Sequence, residues 1–284
     1  MRPQQFEKVD FTFFACDQDC TRRNWKAVRD AGSAIVDMSY ALEDEPGAVV
    51  RSPWVERQLG HTLTLDLQPG PSVAAHPAAV VLALLLLRAQ KFSSIKTAIA
   101  TVFEPASEHG QKGMDELHEQ TVNLLSFQPL PKNIFDTQVA FNMVGRYGEH
   151  ASPPLANVEQ RILKHYQRIA GGGAAMPSLL LLQAPIFHGY AFAVHLQMDQ
   201  VADVEQLSQA LSGEHVNIAQ PAEDAPSNVS VAGQGNILVS VKPDANDLNG
   251  AWLWAAADNL RIAATTAVEC AETMAATRPR GKIQ

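Results

Sequence analysis

Residues 78–87 read AAVVLALLLL, ten positions without one polar side chain. No other feature restricts the fold as much. A helix that crosses a bilayer needs roughly 20 apolar residues, so this run is half of what a crossing requires. A helix that is apolar on every side must instead be surrounded by protein. With 284 residues and an apolar fraction of 46%, the chain is large enough to enclose such a helix in one core or two. It reads as a buried core helix, not as a membrane segment.

On its N-terminal side the pattern alternates between strand and helix. Val9–Ala15 (VDFTFFA) is a short run of β-branched and aromatic residues. The polar turn CDQDC and a helical pattern over Thr21–Ala31 follow, closed by Gly32, and Ala34–Met38 reads as a second buried strand. His61–Leu67 alternates apolar and polar as a third strand before the turn at Pro69-Gly70-Pro71. Strands alternating with helices predict a parallel sheet of the α/β kind. After the apolar helix come a strand over Ile95–Phe103 and a helix over Gln111–Leu125. A proline-rich connection then opens an irregular stretch that ends near Pro153-Pro154. A helix over Ala156–Ala170 stops at Gly171-Gly172-Gly173. Strands over Ser178–Gln183 and Tyr190–Met198 flank Pro185. A helix over Val204–Leu211, strands over Asn236–Val241 and Ala251–Ala256, and a final helix over Asn259–Ala276 complete the order. Residues 222–235 are polar and turn-rich and read as a surface loop. The second half is therefore a mixed α+β block, and no internal repeat is visible.

Charge and cysteine usage narrow the partners. A net charge of −8 and a pI near 5.6 give no electrostatic footprint for nucleic acid or an anionic membrane. The three cysteines, Cys16, Cys20 and Cys270, cannot all pair. With no signal peptide at the start, they predict a reducing, cytoplasmic setting. Cys16-x-x-x-Cys20 with Asp17 and Asp19 has no matching second pair, so strand-end and turn residues are the plain reading and no metal is expected. The glycines at 171–173 are not followed by Lys-Ser/Thr, so they are no phosphate loop. His109, His150, His165, His188 and His195 fall on different elements. Trp252 and Trp254 share one strand face, as core or interface residues.

Several segments, taken in order, resemble the aspartate-semialdehyde dehydrogenase family. FEKVDFTFFA and AGSAIVDMS are similar to the second half of its nucleotide-binding domain. FEPASEHGQKGMDELHEQ over Phe103–Gln120 resembles its Q-A-V-S-G-x-G-x-x-G-M-x-E-L segment. Phe141-Asn142, the helix around Glu159 and then APIFHG over Ala184–Gly189 resemble its V-P-V-F-x-G-H region. Asn236–Val239 and WAAADNLR over Trp254–Arg261 resemble its closing strand and last helix. The resemblance implies a Rossmann-like parallel sheet domain, truncated here, joined to a mixed-sheet α+β dimerisation domain. The implied division is 1–74 with 258–284 against 75–257. It also implies NADP as cofactor, a homodimer, and reduction of an acyl phosphate through a thioester.

That chemistry needs a thiolate, because the thioester is the hydride acceptor, and the family places its Cys in an N-P-N-C-[ST] turn where a helix starts. Here the turn reads His76-Pro77-Ala78-Ala79-Val80, so the nucleophile position is Ala79. The family's acid/base His after Gly corresponds to Tyr190, with His188 beside it as a candidate substitute. The substrate-carboxylate Arg corresponds to Gln183, and the Gln that orients the intermediate to Glu104. On the cofactor side the first βαβ unit with its glycine fingerprint has no counterpart before Val9. Asp17-Gln18-Asp19 stand where a glycine pair is expected, and NLRIAA over Asn259–Ala264 lacks the family's glycine. Two carboxylates there repel a phosphate. The expectation is a catalytically inactive member with its NADP site lost and no intact catalytic residues. It would act as a homodimeric binding or structural subunit, with room for a small metabolite in the remnant cleft. The alternative is an NADP-dependent semialdehyde oxidoreductase of altered mechanism or substrate.

Overall fold

The computed structural model describes residues 3–61, 70–220 and 225–277. A short 3-10 turn (Pro3–Phe6) leads into β1 (Phe11–Phe14), α1 (Gln18–Asp30) and β2 (Ala34–Asp37). Asp17 caps α1: its carboxylate accepts from the Cys20 backbone N–H at 2.7 Å. The helix therefore begins three residues before the amphipathic pattern does. β3 (Val49–Arg51), α2 (Pro53–Gln58) and β4 (Ser72–Ala74) follow. All three went unread in the sequence, because strands of three residues and a helix of six are too short to display a period. Of the strand expected over His61–Leu67, all but His61 lies outside the described residues. β1, β2, β4 and β3 pair in that order, every pair parallel.

The apolar run forms α3 (Pro77–Phe92). Pro77 occupies its first turn, where a missing N–H costs nothing, and His76 caps it. Residues 78–87 are each 5% exposed or less, as a helix apolar all round requires. Arg88 closes the run without an orphaned charge, donating to the carbonyls of Leu211 and Glu214 and to Gln58 Oε1. β5 (Ile95–Glu104), α4 (Gly110–Leu125) and α5 (Leu155–Ala170) come next. Gly171 ends α5 with φ +56°, the left-handed conformation that favours glycine at a helix terminus.

β6 (Ser178–Gln183), β7 (Tyr190–Met198), α6 (Val204–Leu211), β8 (Val216–Ile218), β9 (Ile237–Pro243) and β10 (Gly250–Ala257) complete a six-stranded mixed sheet of order β6-β5-β7-β10-β9-β8. β8 is another three-residue strand without a readable pattern. The helices α3, α5 and α6 cover one face of this sheet. The final helix, α7 (Asn259–Thr277), returns to the small sheet and packs Ala267, Cys270, Ala271 and Met274 against Ala34, Val36 and Ala74. The architecture is a Rossmann-like parallel sheet unit joined to a mixed-sheet α+β unit, the fold class that the resemblance implied.

Candidate ligand cleft

A cleft of about 900 Å³ opens where the two sheets meet. Its walls follow the C-terminal ends of strands: Cys16–Asp19 after β1, Met38–Tyr40 after β2, His76 after β4 and Glu104 at the end of β5. That is where open parallel sheets expose loop residues to a ligand. Glu108 and His109 from the turn after β5, and Asn157 and Arg161 from α5, close the other side.

A chain of hydrogen bonds holds the wall at His76. The His76 backbone N–H donates to His165 Nδ1 at 3.0 Å. The proton of His165 is therefore on Nε2, which donates to Glu43 Oε2 at 2.7 Å. Burial alone would raise the Glu43 carboxyl, but the His165 hydrogen bond and the Arg161 and Lys164 charges outweigh it and hold it at about 2. Burial and the neighbouring cations push His165 below its usual range, with Glu43 opposing them. His76 is driven well below it by burial, by His165 and by Arg161. His76 Nδ1 accepts from the Ala78 N–H at 3.3 Å, so a neutral ring carries its proton on Nε2. That atom faces Glu108 Oε2 at 3.7 Å, beyond hydrogen-bonding reach.

Glu104 and Glu108 sit on the cleft floor. The Tyr147 hydroxyl lies 3.0 Å from Glu104 Oε1 and 2.7 Å from Gln183 Oε1, and His109 Nε2 is 2.9 Å from the same hydroxyl. A phenol has one proton to give, which the two acceptors share, so His109 is the donor to the hydroxyl oxygen. Gln183 uses its amide N–H groups on the carbonyls of Glu104 and Ala184. Glu104 Oε2 and the Tyr190 hydroxyl remain, both buried and without a geometrically sound hydrogen bond. Glu108 accepts from Asn259 Nδ2 at 2.8 Å. Burial and the nearby Glu104 charge push its carboxyl up to about 8. Asn259 also joins Ser107 and accepts from the Gly189 N–H at 3.1 Å, so the first residue of α7 fixes both turns that shape the floor. Gly189 has φ +81°, and a Cβ there would meet the Asn228 backbone at 3.1–3.2 Å, so any side chain would strain the turn.

Of the four positions matched to the family's catalytic residues, only Glu104 lines the cleft. Ala79 is wholly buried one turn into α3 behind His76, and Gln183 and Tyr190 are equally inaccessible. His188 is exposed on the turn before β7. Because that strand begins at Tyr190, strand alternation does not place the His188 imidazole beside the tyrosine. Cys16 lines the opposite wall, and burial and the adjacent Cys20 raise its thiol instead of activating it. Cys270 is buried on the face of α7 that packs against the small sheet. Among the described residues no three His, Cys, Asp or Glu side chains converge on a metal position, and no helix is long and apolar enough to cross a membrane. His76, Glu108, His165 and Asn259 were missed in the sequence. Only His76 left a signal there, as the residue before a proline that opens a helix.

A nucleotide-type parallel sheet, a mixed sheet with one face uncovered and a cleft between them at a helix start describe a two-domain dehydrogenase architecture. The family model described as semialdehyde dehydrogenase, dimerisation domain, matches residues 84–262, and the chain belongs to that family. The USG-1 protein homolog of Azotobacter vinelandii is 30% identical over 275 residues, covering 95% of this chain and 80% of that protein. The aspartate-semialdehyde dehydrogenase of Rickettsia bellii is 26% identical over 276 residues, again 95% and 80%. Among solved structures, a probable aspartate-semialdehyde dehydrogenase from Pseudomonas aeruginosa superposes with a TM-score of 0.83 at 26% identity, over 95% of this chain and 80% of that one. The Candida albicans enzyme, solved with NADP, shares the fold at a TM-score of 0.62 and 17% identity, over 94% and 78% of the two chains.

Proposed function

We propose that this chain is a non-catalytic member of the family and works as a homodimeric binding subunit. The observation that carries the reading is Ala79. At the helix start where this chemistry needs a thiolate there is a wholly buried methyl group. We assign residues 1–74 with 258–284 to the nucleotide-type unit and 75–257 to the dimerisation unit. The cofactor side supports the same reading, because the residues at the start of α1 do not fit a pyrophosphate. Asp17 already occupies the Cys20 N–H, and Asp17 and Asp19 both face the cleft, so an anion would meet carboxylates before amides.

Ala79→Cys is expected to leave NADPH consumption at background with semialdehyde or acyl-phosphate substrates, since Gln183 and Tyr190 are unchanged and packed away. Its extra sulfur costs about 1–3 kcal/mol of stability in a filled site. Calorimetric titration of the unaltered protein with NADPH is the direct test of the whole reading. Saturable micromolar binding, or any NADPH-dependent turnover, would overturn it.

The homodimer is supported by the uncovered face of the large sheet. There Ile99, Leu180, Trp252 and Trp254 point outward at 37–52% exposure. Register aligns Ile99, His195 and Trp252 in one cross-strand row, and Leu180, Thr101, Ala193 and Trp254 in the next. An apolar patch of this kind on the separated chain fits a second copy. Ile99→Glu together with Trp252→Glu is expected to weaken self-association at least roughly a hundredfold, read as a dimer-to-monomer change in sedimentation velocity. Sedimentation as a monomer before any substitution would sink the dimer.

A further inference from the structure

Away from the cleft, and sharing no wall residue with it, a second pocket of about 320 Å³ opens where α2 meets α3 and the turn between α6 and β8. Its wall carries three cations: Arg57 from α2, and Arg88 and Lys91 from the last turns of α3. Residues three apart on a helix share a face, so Arg88 and Lys91 stand side by side. In a chain with a net charge of −8, positive charge gathered on one pocket wall calls for a counter-charge.

The protein supplies little of it. Arg88 is 6% exposed, and its three hydrogen bonds go to Gln58 Oε1 and to the carbonyls of Leu211 and Glu214, all neutral acceptors. Such dipoles solvate a buried charge without cancelling it, and a guanidinium has five N–H groups, of which three are used here. Burial accordingly pushes the Arg88 guanidinium below its usual range, with the Glu214 charge opposing it. Lys91 is exposed and has no ion pair among the described residues. Arg57 is held in place, donating through Nη1 to Glu269 Oε2 at 2.9 Å and through Nη2 to His215 Nε2 at 3.1 Å. His215 in turn lies flat on Trp54, with ring centroids 3.8 Å apart and planes 5° from parallel. This part of the wall is therefore set before a ligand arrives. The one carboxylate on the pocket wall is Glu214, whose side chain is 66% exposed. Its Oε1 lies 3.6 Å from Arg57 Nη2 and 3.1 Å from a His215 nitrogen that already accepts from Arg57. An exposed ion pair at that distance is weak, so Glu214 is a counter-ion that a better placed anion can replace.

We propose that this pocket binds a phosphate-type dianion, free or as the phosphoryl group of a small ester, between Arg88, Lys91 and Arg57. A guanidinium fork matches two oxygens of a phosphoryl group, and the lysine ammonium adds a point charge. Three wall cations facing one wall carboxylate favour a dianion over a monoanion. Glu214 competes for the same cations and so sets how tightly the anion is held. The inference does not depend on whether the chain is catalytic.

The test is calorimetric titration of the full chain at pH 8 with inorganic phosphate, methyl phosphate and acetate, at one fixed ionic strength because salt screens exposed charges. Saturable phosphate binding near about 1 mM is expected, with acetate at least roughly tenfold weaker. Lys91→Gln should weaken phosphate at least roughly fivefold, and Glu214→Gln should tighten it about threefold. Both side chains are exposed, so neither variant disturbs the core. Arg88→Gln should abolish binding, and where it fails to fold the other two variants decide. Phosphate should also raise the thermal midpoint of the wild type more than that of Lys91→Gln. Methyl phosphate binding as well as phosphate identifies the occupant as an ester, and its exclusion identifies the free ion; either result upholds the site. Three results would each overturn the proposal: no saturable phosphate binding up to about 20 mM, acetate binding equal to phosphate, or weaker phosphate binding in Glu214→Gln. An affinity that Lys91→Gln leaves unchanged would do the same, since it marks an adventitious ion only.

Discussion

Replacing Gln120 by Leu is expected to destabilise the protein by about 4 kcal/mol, lowering its thermal midpoint by roughly 10 °C. Gln120 is wholly buried on α4 and uses both ends of its amide. Its Oε1 accepts from the Val139 and Ala140 N–H groups at 2.8 and 3.2 Å. Its Nε2 donates to the Pro131 and Thr137 carbonyls at 2.7 and 2.9 Å. Leu preserves the volume and strands four backbone groups that no strand or helix can pair. Glu116, one turn earlier, gathers the N–H groups of Asn133, Ile134 and Phe135 in the same manner. These two side chains thus stand in for secondary structure along a stretch that has almost none. That stretch carries Phe135 and Tyr147 inward, so Gln120→Leu should also free Glu104 and Gln183 from the Tyr147 hydroxyl. Differential scanning calorimetry checks the first part. A fall of less than about 2 °C would mean that the stretch holds its shape without Gln120.

Glu43→Gln is expected to cost about 2–3 kcal/mol near pH 7, and the cost should vanish in acid. The native carboxyl is held at about 2, against 4.5 for an ordinary glutamate. Its contribution is therefore complete above about pH 4.5 and disappears as pH falls through about 2. Allowance for the partly solvated side of the cluster keeps the figure at the low end of what that difference alone would imply. His165 and His76, both buried and held below 6.5, add to the acid loss. The unfolded chain takes up their protons first, starting near about pH 6.5. Urea denaturation of both proteins from about pH 2.5 to 7 separates the contributions. If the gap between wild type and variant is as wide at the acid end as at neutrality, then the Glu43–His165 pair does not stabilise the fold as an ion pair.

Where a segment was long and its own composition dictated its state, the sequence was sufficient. The apolar helix at 77–92, the amphipathic α5 with its terminal glycine, and β5, β6, β7 and β10 all lie within a few residues of where their patterns placed them. The ordered motifs likewise point to the family by themselves. The short elements β3, α2, β4 and β8 have no period of their own. β3, β4 and β8 exist because a neighbouring strand offers a ladder, Val49–Arg51 beside Ser72–Ala74 and Val216–Ile218 beside Ile237–Val239.

The site divided along the same line. Composition fixed which chemistry Ala79 and Gln183 cannot perform, since a methyl forms no thioester and an amide carries no charge. Whether those positions reach a ligand was decided by packing, which buried Ala79, Gln183 and Tyr190 away from the cleft and set Glu104, itself buried, against its wall. Glu43 meets His165 across 122 residues and Ser107 meets Asn259 across 152. A local pattern records which face of an element is apolar. It cannot record which distant side chain will fill the space against that face, because the pairing is set only once the core around α3 has closed and water has left the groups inside it.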